Sequence, residues 1–180
     1  MTIRLADVYR HCPRCASPCK TPGKNPFHCD RCDFIYYFGP TVAVGGIVTD
    51  RDGQVLFLRR AREPGKGKLG LPGGFVDAGE GAEEAMAREV LEEVNLRVTA
   101  MEYLASFAND YNYRGITLAV TDVFYVCHVD SLNVLRAAQD EVEGLLFCHP
   151  SDAELNDMAF ESNRLALKRF LLSGRNRRST

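Results

Sequence analysis

The feature that most constrains the fold is a glycine-containing loop followed by a glutamate-rich helix, between Gly74 and Leu96. At 3.6 residues per turn, three of the glutamates fall within an arc of roughly 100°; they are Glu89, Glu92 and Glu93. Like charges at these spacings repel by about 0.2–0.5 kcal/mol per pair. Because hard oxygen ligands suit Mg²⁺ or Mn²⁺, the spacing predicts a divalent-metal site. A solvated acidic face is the alternative.

The same helix also has an apolar face, which the periodicity predicts to be buried. Its residues recur at i, i+3, i+4 and i+7, namely Ala87, Val90, Leu91 and Val94. Arg88 lies four residues before Glu92, a spacing at which a basic side chain orients an acidic one. Upstream, Gly73 and Gly74 let the backbone approach a ligand closely and offer carbonyl oxygens as further ligands.

These residues together resemble the Nudix box, in which a glycine and a glutamate precede the run R-E-aliphatic-x-E-E-x-G-aliphatic. The residues that match at the required spacing are Gly74, Glu80, Arg88, Glu89, Val90, Glu92, Glu93 and Leu96. One position differs, because the last glycine of the box is Asn95 here. That glycine ends the helix in a left-handed conformation, and asparagine is the next-best residue for it, so we expect Asn95 to replace it.

The resemblance implies an α+β fold, the Nudix α/β/α sandwich with a mixed sheet, and a pyrophosphohydrolase that cleaves a nucleoside diphosphate linked to another group. It assigns Mg²⁺ or Mn²⁺ to Glu89, Glu92 and Glu93, with a carbonyl from Gly73 or Gly74, and it gives Glu80 the role of bracing the loop. Such a metal neutralises the diphosphate and lowers the pKa of the attacking water.

The general base is drawn in Nudix enzymes either from the box or from a later loop, and the sequence leaves both open. Glu89 is the candidate in the box. The segment from Gln139 to Gly144 resembles the later acidic loop, in which Glu141 and Glu143 flank the start of a predicted strand. Ordinary turn and edge charges are the alternative interpretation of these two glutamates.

A second strong motif lies near the amino end, where two CxxC pairs are separated by thirteen residues. Their cysteines, Cys12, Cys15, Cys29 and Cys32, predict a tetrathiolate structural zinc site. Cys19, His11 and His28 are alternative ligands. Disulfides are the rival, but the chain begins MTIRLADVYR without an apolar leader, so we expect a reducing cytoplasmic location. We therefore predict a zinc ribbon at residues 1–38 and a Nudix hydrolase domain at 39–180.

The remaining segments predict strands and a terminal helical region. β-rich runs occur at 41–49, 55–59, 97–107 and 117–129. We expect the first two to form a hairpin, and residues 108–115, between the last two, to form a loop at the substrate pocket. Ser151 and Glu154 form a potential capping box that opens a segment reaching Leu172.

Two sets of side chains are candidates for substrate binding. Phe107, Tyr111 and Tyr113 can stack on a nucleobase, although core or surface packing is the alternative for each. Arg59 and Arg60 begin a basic run that can hold phosphates, or that can equally be a solvated loop. The formal charge of −2 gives no strong case for nucleic acid, and no apolar stretch approaches the length of a membrane span. Related proteins are often dimers, so a homodimer is an expectation by analogy.

A zinc ribbon ahead of a Nudix domain is similar to the NADH pyrophosphatases, which also remove NAD caps from RNA. Their S-Q-P-W-P-F-P stretch is absent, and the chain has no tryptophan. A proline about sixteen residues beyond the box, as in the ADP-ribose hydrolases, is also missing. The sequence leaves three hypotheses: a metal-dependent hydrolase of a nucleotide sugar, ADP-ribose or dinucleotide; an NADH pyrophosphatase or NAD-cap decapping enzyme; and a non-catalytic nucleotide sensor.

Overall fold

The computed structural model describes residues 3–174, so the last residues of the predicted 39–180 domain lie outside the described part. In chain order the elements are β1 (Ile3–Arg4), α1 (Leu5–Val8), β2 (Phe27–His28), β3 (Ile35–Tyr36), β4 (Thr41–Val48), β5 (Val55–Arg60), β6 (Leu69–Gly70), α2 (Ala82–Val94), β7 (Val98–Tyr113), β8 (Ile116–Val129), β9 (Val142–Cys148), α3 (Asp152–Asp157) and α4 (Glu161–Leu172). They form two compact units.

The first unit consists of the described residues up to Thr41 together with Asp110–Val120. In it, β2 pairs antiparallel with β3, and β1 pairs parallel with the beginning of β8, where Ile3 lies opposite Ile116. Its small core is formed by buried cysteines and by aromatic rings that pack on one another; they are Cys12, Cys29, Phe27, Phe34, Phe38 and Tyr9. This unit therefore has little aliphatic core of its own.

The second unit, Val42–Asn109 with the residues from Thr121 onward, contains most of two sheets. One sheet is antiparallel and has the order β6-β5-β9. In the other sheet, β8 is the strand that pairs with β4, with β7 and with β1. Successive residues of a strand face opposite sides. Accordingly, Leu56 and Leu58 pack in a core with α2, while Val55 and Phe57 pack in a second core with α4. Helices thus cover both sides of the strands, which confirms the predicted α/β/α sandwich with mixed sheet.

The prediction that β4 and β5 form a regular hairpin is wrong. The tight turn between them exists, because the Asp50 N–H donates to the Gln54 carbonyl at 3.0 Å. However, only the bridge between Thr49 and Val55 connects the strands, and each then enters a different sheet. The physical reason is that β5 is buried on both faces, since residues 55–58 are all buried. A strand of this kind needs a packed layer against each face, whereas the strand of a simple hairpin keeps one face in solvent.

The prediction of a loop at residues 108–115 is also wrong. Strand β7 continues to Tyr113 and β8 starts at Ile116, so only two residues make the turn. These are Arg114 at φ 49° and Gly115 at φ 81°, the positive values that tight two-residue hairpin turns require. The segment is polar because it is largely exposed, and this polarity resembled a loop in the sequence.

Helix α2 confirms most of its predicted pattern, with one error in its buried face. Val90 and Val94 are fully buried, but Leu91 is 50% exposed, and Met86 occupies the core instead. The predicted role of Asn95 is confirmed: it ends the helix at φ 57° and ψ 32°, and its N–H donates to the Leu91 carbonyl at 3.0 Å. Its side chain adds a bond that glycine lacks, to the Val134 carbonyl at 2.8 Å.

The terminal segment begins at the predicted cap but divides into two helices. The Ser151 hydroxyl accepts from the Ala153 N–H at 3.2 Å, and Glu154 accepts from the Ser151 N–H at 2.8 Å. The chain leaves the helix after Asp157 because the Ala159 N–H donates to the Leu69 carbonyl at 2.7 Å, next to a bridge between Met158 and Leu69. A long-range backbone contact therefore overrides the local pattern.

Candidate functional site

Arg88 on α2 organises the acidic residues of the site. Its guanidinium donates to both carboxylate oxygens of Glu80 at 2.7 and 3.0 Å, and to the Phe75 carbonyl at 3.1 Å. The same group donates to Glu89 at 2.8 Å and to Glu92 at 3.1 Å. The predicted orienting role of Arg88 and bracing role of Glu80 both agree with these contacts. One fork-shaped cation thus connects the loop before α2 with two of its glutamates.

Glu93 and Glu89 are the buried carboxylates of the site. Glu93 is 8% exposed, and its carboxylate accepts from the Gly73 N–H at 2.8 Å. Burial raises the pKa of Glu93 to about 8, and the charges of Glu89 and Glu141 add to that increase. Burial also raises the pKa of Glu89, against the opposing effect of Arg88. Two carboxylates that burial and mutual repulsion make costly to ionise therefore lie side by side, an arrangement that a cation would stabilise.

The paired glycines allow the loop to approach these carboxylates. A Cβ atom on Gly74 would lie 2.4 Å from a Glu89 carboxylate oxygen, and one on Gly73 would lie 2.1 Å from the Val44 carbonyl. Gly73 also has a φ of 147°, which side chains rarely adopt. Any larger residue would displace the loop or the glutamate, so the predicted close approach of this backbone is present.

The three glutamates do not occupy one tight cluster. Glu92 is the exposed member, with its side chain 59% accessible and bonded to Arg88. Among residues 3–174, the cysteines near the amino end are the only group of three or more metal-binding side chains whose ligand atoms all lie within 4.8 Å of one another. Repulsion explains the separation, since Glu92 pairs with Arg88 while Glu93 pairs with the loop backbone.

The acidic loop reaches the same site through Glu141. Its charge contributes to the raised pKa of both Glu89 and Glu93, so it lies close to both. Arg62 donates to Glu141 at 2.8 Å and to Asp140 at 2.7 Å. Glu143 is exposed and is the additional residue of a β-bulge, because Arg59 lies opposite Gly144 whereas Arg60 lies opposite Val142. The structure therefore distinguishes the two glutamates that the sequence could not separate.

Most cations of the basic run are already paired. Arg59 and Lys68 both bind Asp157, at 3.2 and 3.0 Å. Arg60 differs: it donates to the Pro64 carbonyl at 2.9 Å and lies 5.0 Å from the centre of the Phe160 ring. The sequence did not predict these partners, because no local pattern shows that residues near position 60 contact residues near position 160.

Of the predicted stacking residues, Tyr111 and Tyr113 lie near each other, with ring centres 6.5 Å apart. Phe107 packs against Phe124, with ring centres 6.2 Å apart, at the edge of the core beneath α4. Tyr111 and Tyr113 belong to the part of the hairpin in the first unit, and Arg114 lies 5.2 Å from the Tyr113 ring. The substrate role of these rings stays a prediction.

The four cysteines of the two CxxC pairs converge as predicted. The sulfur atoms of Cys12 and Cys32 are 3.7 Å apart, and those of Cys15 and Cys29 are 3.6 Å apart. A zinc ion with Zn–S bonds of about 2.3 Å requires sulfur separations of about 3.8 Å in a tetrahedron. The observed spacing fits that requirement. Of the other cysteines, Cys127 is buried and desolvation raises the pKa of its thiol to about 12, while Cys148 is only partly buried.

Comparison with protein families identifies the fold family of this chain. The model of the NUDIX domain matches residues 39–170. The chain belongs to the NUDIX family. Within residues 3–174, none of the helices has the length and hydrophobicity that a transmembrane helix requires.

Several characterised proteins are similar to parts of this NUDIX chain. An ADP-ribose pyrophosphatase from Methanocaldococcus jannaschii is 35% identical over 112 residues, which cover 62% of this chain and 63% of that protein. A NAD-capped RNA hydrolase, NudC, from Pseudomonas fluorescens is 32% identical over 102 residues, covering 56% of this chain and 36% of that protein. The chain therefore aligns with less than two thirds of the length of either relative.

Among solved structures, a NUDIX hydrolase from Nitrosomonas europaea matches with a TM-score of 0.66 and 26% identity, over 95% of both chains. Because the NUDIX match begins at residue 39, a likeness of this extent includes most of the amino-terminal residues as well. The structural likeness to that protein therefore extends beyond the residues that match the NUDIX domain.

Proposed function

We propose that this protein is a metal-dependent pyrophosphohydrolase that cleaves the diphosphate of a nucleoside diphosphate derivative. The products are a nucleoside monophosphate and the phosphorylated second group. Family membership supports this proposal, as do the names of the similar proteins, an ADP-ribose pyrophosphatase and a NAD-capped RNA hydrolase. The substrate class comprises ADP-ribose, nucleotide sugars and dinucleotides.

The observation that carries the proposal is the burial of Glu93 beside Glu89. A carboxylate that is 8% exposed and accepts a hydrogen bond from the Gly73 N–H is costly to ionise unless a cation compensates its charge. Arg88 is already committed to Glu80, Glu89 and Glu92. Glu93 therefore still requires a compensating positive charge, and a hard divalent ion with carboxylate ligands would supply it.

The residues that would hold Mg²⁺ or Mn²⁺ are Glu89, Glu92 and Glu93, with a carbonyl of Gly73 or Gly74. When bound, such an ion supplies charge neutralisation for the diphosphate and acidifies a water molecule. The chain's own contribution is position: Arg88 fixes the rotamers of Glu89 and Glu92, and the Gly73 N–H fixes Glu93. A sensor that does not hydrolyse its ligand has no use for this complete set.

Glu141 is our candidate for the general base in the acidic loop. It lies close enough to Glu89 and Glu93 to influence both, whereas Glu143 stands in the exposed bulge. Glu89 is the alternative base, and it accepts a bond from Arg88 at 2.8 Å just as Glu141 accepts one from Arg62 at 2.8 Å. Replacing Glu141 by glutamine removes the base while leaving Glu89 in place, so the two candidates can be separated kinetically.

The amino-terminal cysteines are proposed to hold a structural zinc ion. The support is the sulfur spacing of 3.6 and 3.7 Å and the partial or complete burial of all four cysteines. A closed site of four thiolates leaves no position for substrate, so its role is to stabilise the fold.

The test of the proposed function is hydrolysis of a panel of diphosphates in Mg²⁺ or Mn²⁺, with the released nucleoside monophosphate measured by chromatography. The panel contains ADP-ribose, UDP-glucose, diadenosine diphosphate, NADH and NAD-capped RNA. Glu93→Gln and Glu92→Gln should each lower kcat by about 10²-fold or more, because the charge that holds the metal is lost.

Glu102→Gln is the matched control, because it makes the same chemical change away from the site. Glu102 is an exposed strand residue that pairs with His128. It should hydrolyse the preferred compound at the wild-type rate. Wild-type rates in both Glu92→Gln and Glu93→Gln would contradict the metal assignment. Preference for NAD-capped RNA over every free nucleotide would favour the decapping alternative.

A further inference from the structure

Arg62 binds both acidic side chains at the start of the acidic loop. Its Nη1 atom donates to Oε1 of Glu141 at 2.8 Å, and its Nη2 atom donates to Oδ2 of Asp140 at 2.7 Å. The planar guanidinium thus gives one nitrogen to each carboxylate, a geometry that fixes direction as well as distance. All three side chains are accessible to solvent, so these ion pairs contribute little to the stability of the fold. Their effect is on the position of the two carboxylates.

The backbone around Glu141 is held independently of its side chain. The Ala61 N–H donates to the Glu141 carbonyl at 2.9 Å, directly after the end of β5. Just before the acidic loop, the Ala138 N–H donates to the Glu93 carbonyl at 2.9 Å. The carboxylate is different, because among residues 3–174 only Arg62 bonds to it. Arg62 is therefore the residue that determines where the carboxylate of Glu141 lies.

The loop that carries Arg62 is closed by its own hydrogen bonds. The Arg60 N–H donates to the Lys68 carbonyl at 3.0 Å, and the Gly67 N–H donates to the Arg60 carbonyl at 2.8 Å. Inside the loop, the side chain of Arg60 donates to the Pro64 carbonyl at 2.9 Å. The side chain of Arg62 therefore extends from a backbone that is itself well held.

Electrostatic repulsion alone would move the carboxylate of Glu141 away from the candidate metal ligands. Its charge adds to the raised pKa of both Glu89 and Glu93, so three like charges act on one another here. The side chain of Glu141 is 45% accessible, against 12% for Glu89, so Glu141 is the one that can turn into solvent. A nearby positive charge offsets this repulsion, and Arg62 supplies it.

We propose that Arg62 is the positioning residue for the general base: it binds Oε1 of Glu141 and so keeps Oε2 available to the water that attacks the diphosphate. Oε2 takes a proton from that water, and the water oxygen forms the new bond to phosphorus. The electron pair of the broken anhydride bond goes to the departing phosphate. Arg62 itself contacts neither the water nor the substrate. This role deepens the proposed function and rests on it for the reaction.

Steady-state kinetics at saturating Mg²⁺ test this role, with the diphosphate that the wild-type protein hydrolyses fastest. Arg62→Gln should lower kcat by about tenfold or more, because a base that is displaced from the reacting water loses much of its effect. KM should stay within about twofold of the wild-type value, because Arg62 does not bind the substrate. Arg62→Lys keeps the charge and can still pair with Glu141, so it should recover part of the lost kcat.

The double variant shows whether Arg62 acts through Glu141. Glu141→Gln should lower kcat by about 10²-fold, and the addition of Arg62→Gln should lower it no further. Arg51→Gln is the matched control, because it removes the same cation from an exposed turn of the same unit, and it should keep the wild-type kcat and KM. The midpoint of urea unfolding should be equal in the wild-type protein, Arg62→Gln and Arg51→Gln.

Crystal structures of the wild-type protein and of Arg62→Gln, without added Mg²⁺ or Mn²⁺, test the position of the carboxylate directly. In the wild-type protein the Glu141 carboxylate should lie at hydrogen-bond distance from Arg62. In Arg62→Gln it should turn away from Glu89 and Glu93 or occupy several conformations, while the backbone of residues 138–142 stays in place.

The results separate this role from the proposed function. If the wild-type protein hydrolyses a diphosphate, a wild-type kcat in Arg62→Gln or in Glu141→Gln would overturn the role of Arg62 alone. The same holds for a KM that rises while kcat is unchanged, and for an equal loss of kcat when Arg62→Gln is added to Glu141→Gln. If the wild-type protein hydrolyses none of the diphosphates, the proposed function fails and the crystal structures decide. A displaced Glu141 carboxylate in Arg62→Gln would support its positioning by Arg62, and an undisplaced one would overturn it.

Discussion

At the scale of single residues, Arg88 is the side chain on which the candidate site depends most. It contacts Glu80, Glu89, Glu92 and the Phe75 carbonyl at once, with only 26% of its side chain accessible. The sequence predicted an orienting role from its spacing to Glu92. It could not predict that Glu80, eight positions away, takes two of the guanidinium bonds, because that contact depends on the path of the loop.

Arg88→Lys should lower kcat by about 10²-fold and the free energy of unfolding by about 1–3 kcal/mol. An ammonium group cannot present planar donors to three carboxylates, so at least one glutamate loses its position. Steady-state kinetics and urea denaturation measure the two effects. The control is Arg97→Lys at an exposed position, which should leave kcat and the free energy of unfolding unchanged. A wild-type kcat in Arg88→Lys would show that the orientation of Glu89 and Glu92 does not depend on the guanidinium group of Arg88.

Asp122 provides a test of pH dependence away from the metal ligands. It is 6% exposed and accepts from the Ser162 hydroxyl at 2.5 Å. Burial raises the pKa of Asp122 above its ordinary value of 3.8, against the lowering effect of Ser162 and Asn109. The stabilising contribution of a carboxyl with a raised pKa is complete below the unfolded pKa and is lost as the pH rises through the folded one.

The free energy of unfolding of the wild-type protein should therefore fall relative to that of Asp122→Asn as the pH rises above 3.8, the ordinary pKa of this carboxyl. Urea denaturation of both proteins across this range measures the difference, and effects common to both, including titration of other groups, cancel. A difference that stays constant with pH, or that changes in the opposite direction, would show that Asp122 is not destabilised by its ionisation.

At the scale of elements, α2 was predictable, but the end of the β7–β8 hairpin was not. The helix combines a strong motif with 3.6-residue periodicity, and both its start and its end follow local chemistry. Even so, the sequence assigned Leu91 to the buried face, whereas in the structure Leu91 is 50% exposed and Glu93, a residue of the predicted metal-binding face, is 8% exposed. The reason is that α2 turns its acidic edge toward the Gly73 loop, which a helix pattern alone cannot show. The sequence predicted the β-rich runs 97–107 and 117–129 of this hairpin, but its exposed end at 108–115 lacks apolar alternation and therefore resembled a loop.

Asn95→Ala should lower the free energy of unfolding by about 1–2 kcal/mol, because alanine is strained at φ 57° and also lacks the bond to Val134. Asn95→Gly regains the left-handed conformation without strain but still loses that bond, so it should be less destabilised than Asn95→Ala. Urea denaturation of the three proteins ranks them. Equal stability of the alanine and glycine variants would mean that the cap conformation contributes little.

At the scale of the whole molecule, the unit that contains the cysteine-containing segment also includes a piece of chain distant in sequence. The predicted boundary at residue 38 was based on composition and the CxxC spacing. In the structure the first unit also contains Asp110–Val120, and β1 pairs with β8 between Ile3 and Ile116. A pairing between residues more than a hundred positions apart has no signature in either segment, which is why the sequence could not indicate it.

Elemental analysis should find about one zinc per chain, and Cys29→Ser should lose it, because Cys29 is buried among the four sulfur atoms. Since the tip of the hairpin belongs to the same unit, zinc loss should also increase amide hydrogen exchange in residues 110–120. Cys148→Ser is the matched control and should keep both the zinc and the protection. Unchanged exchange at 110–120 in zinc-free Cys29→Ser would show that the hairpin tip folds without the metal.

The β-bulge at Glu143 has a consequence for how a protein of this kind can change over evolutionary time. The ladder between β5 and β9 is regular from Gly144 to Cys148, and the extra residue is confined to the side that leads into the acidic loop. A gain or loss of one amino acid there can be absorbed at the irregularity, while Leu145 and the residues after it keep their neighbours. Chemistry at the loop can thus diversify without redesign of the packed interior.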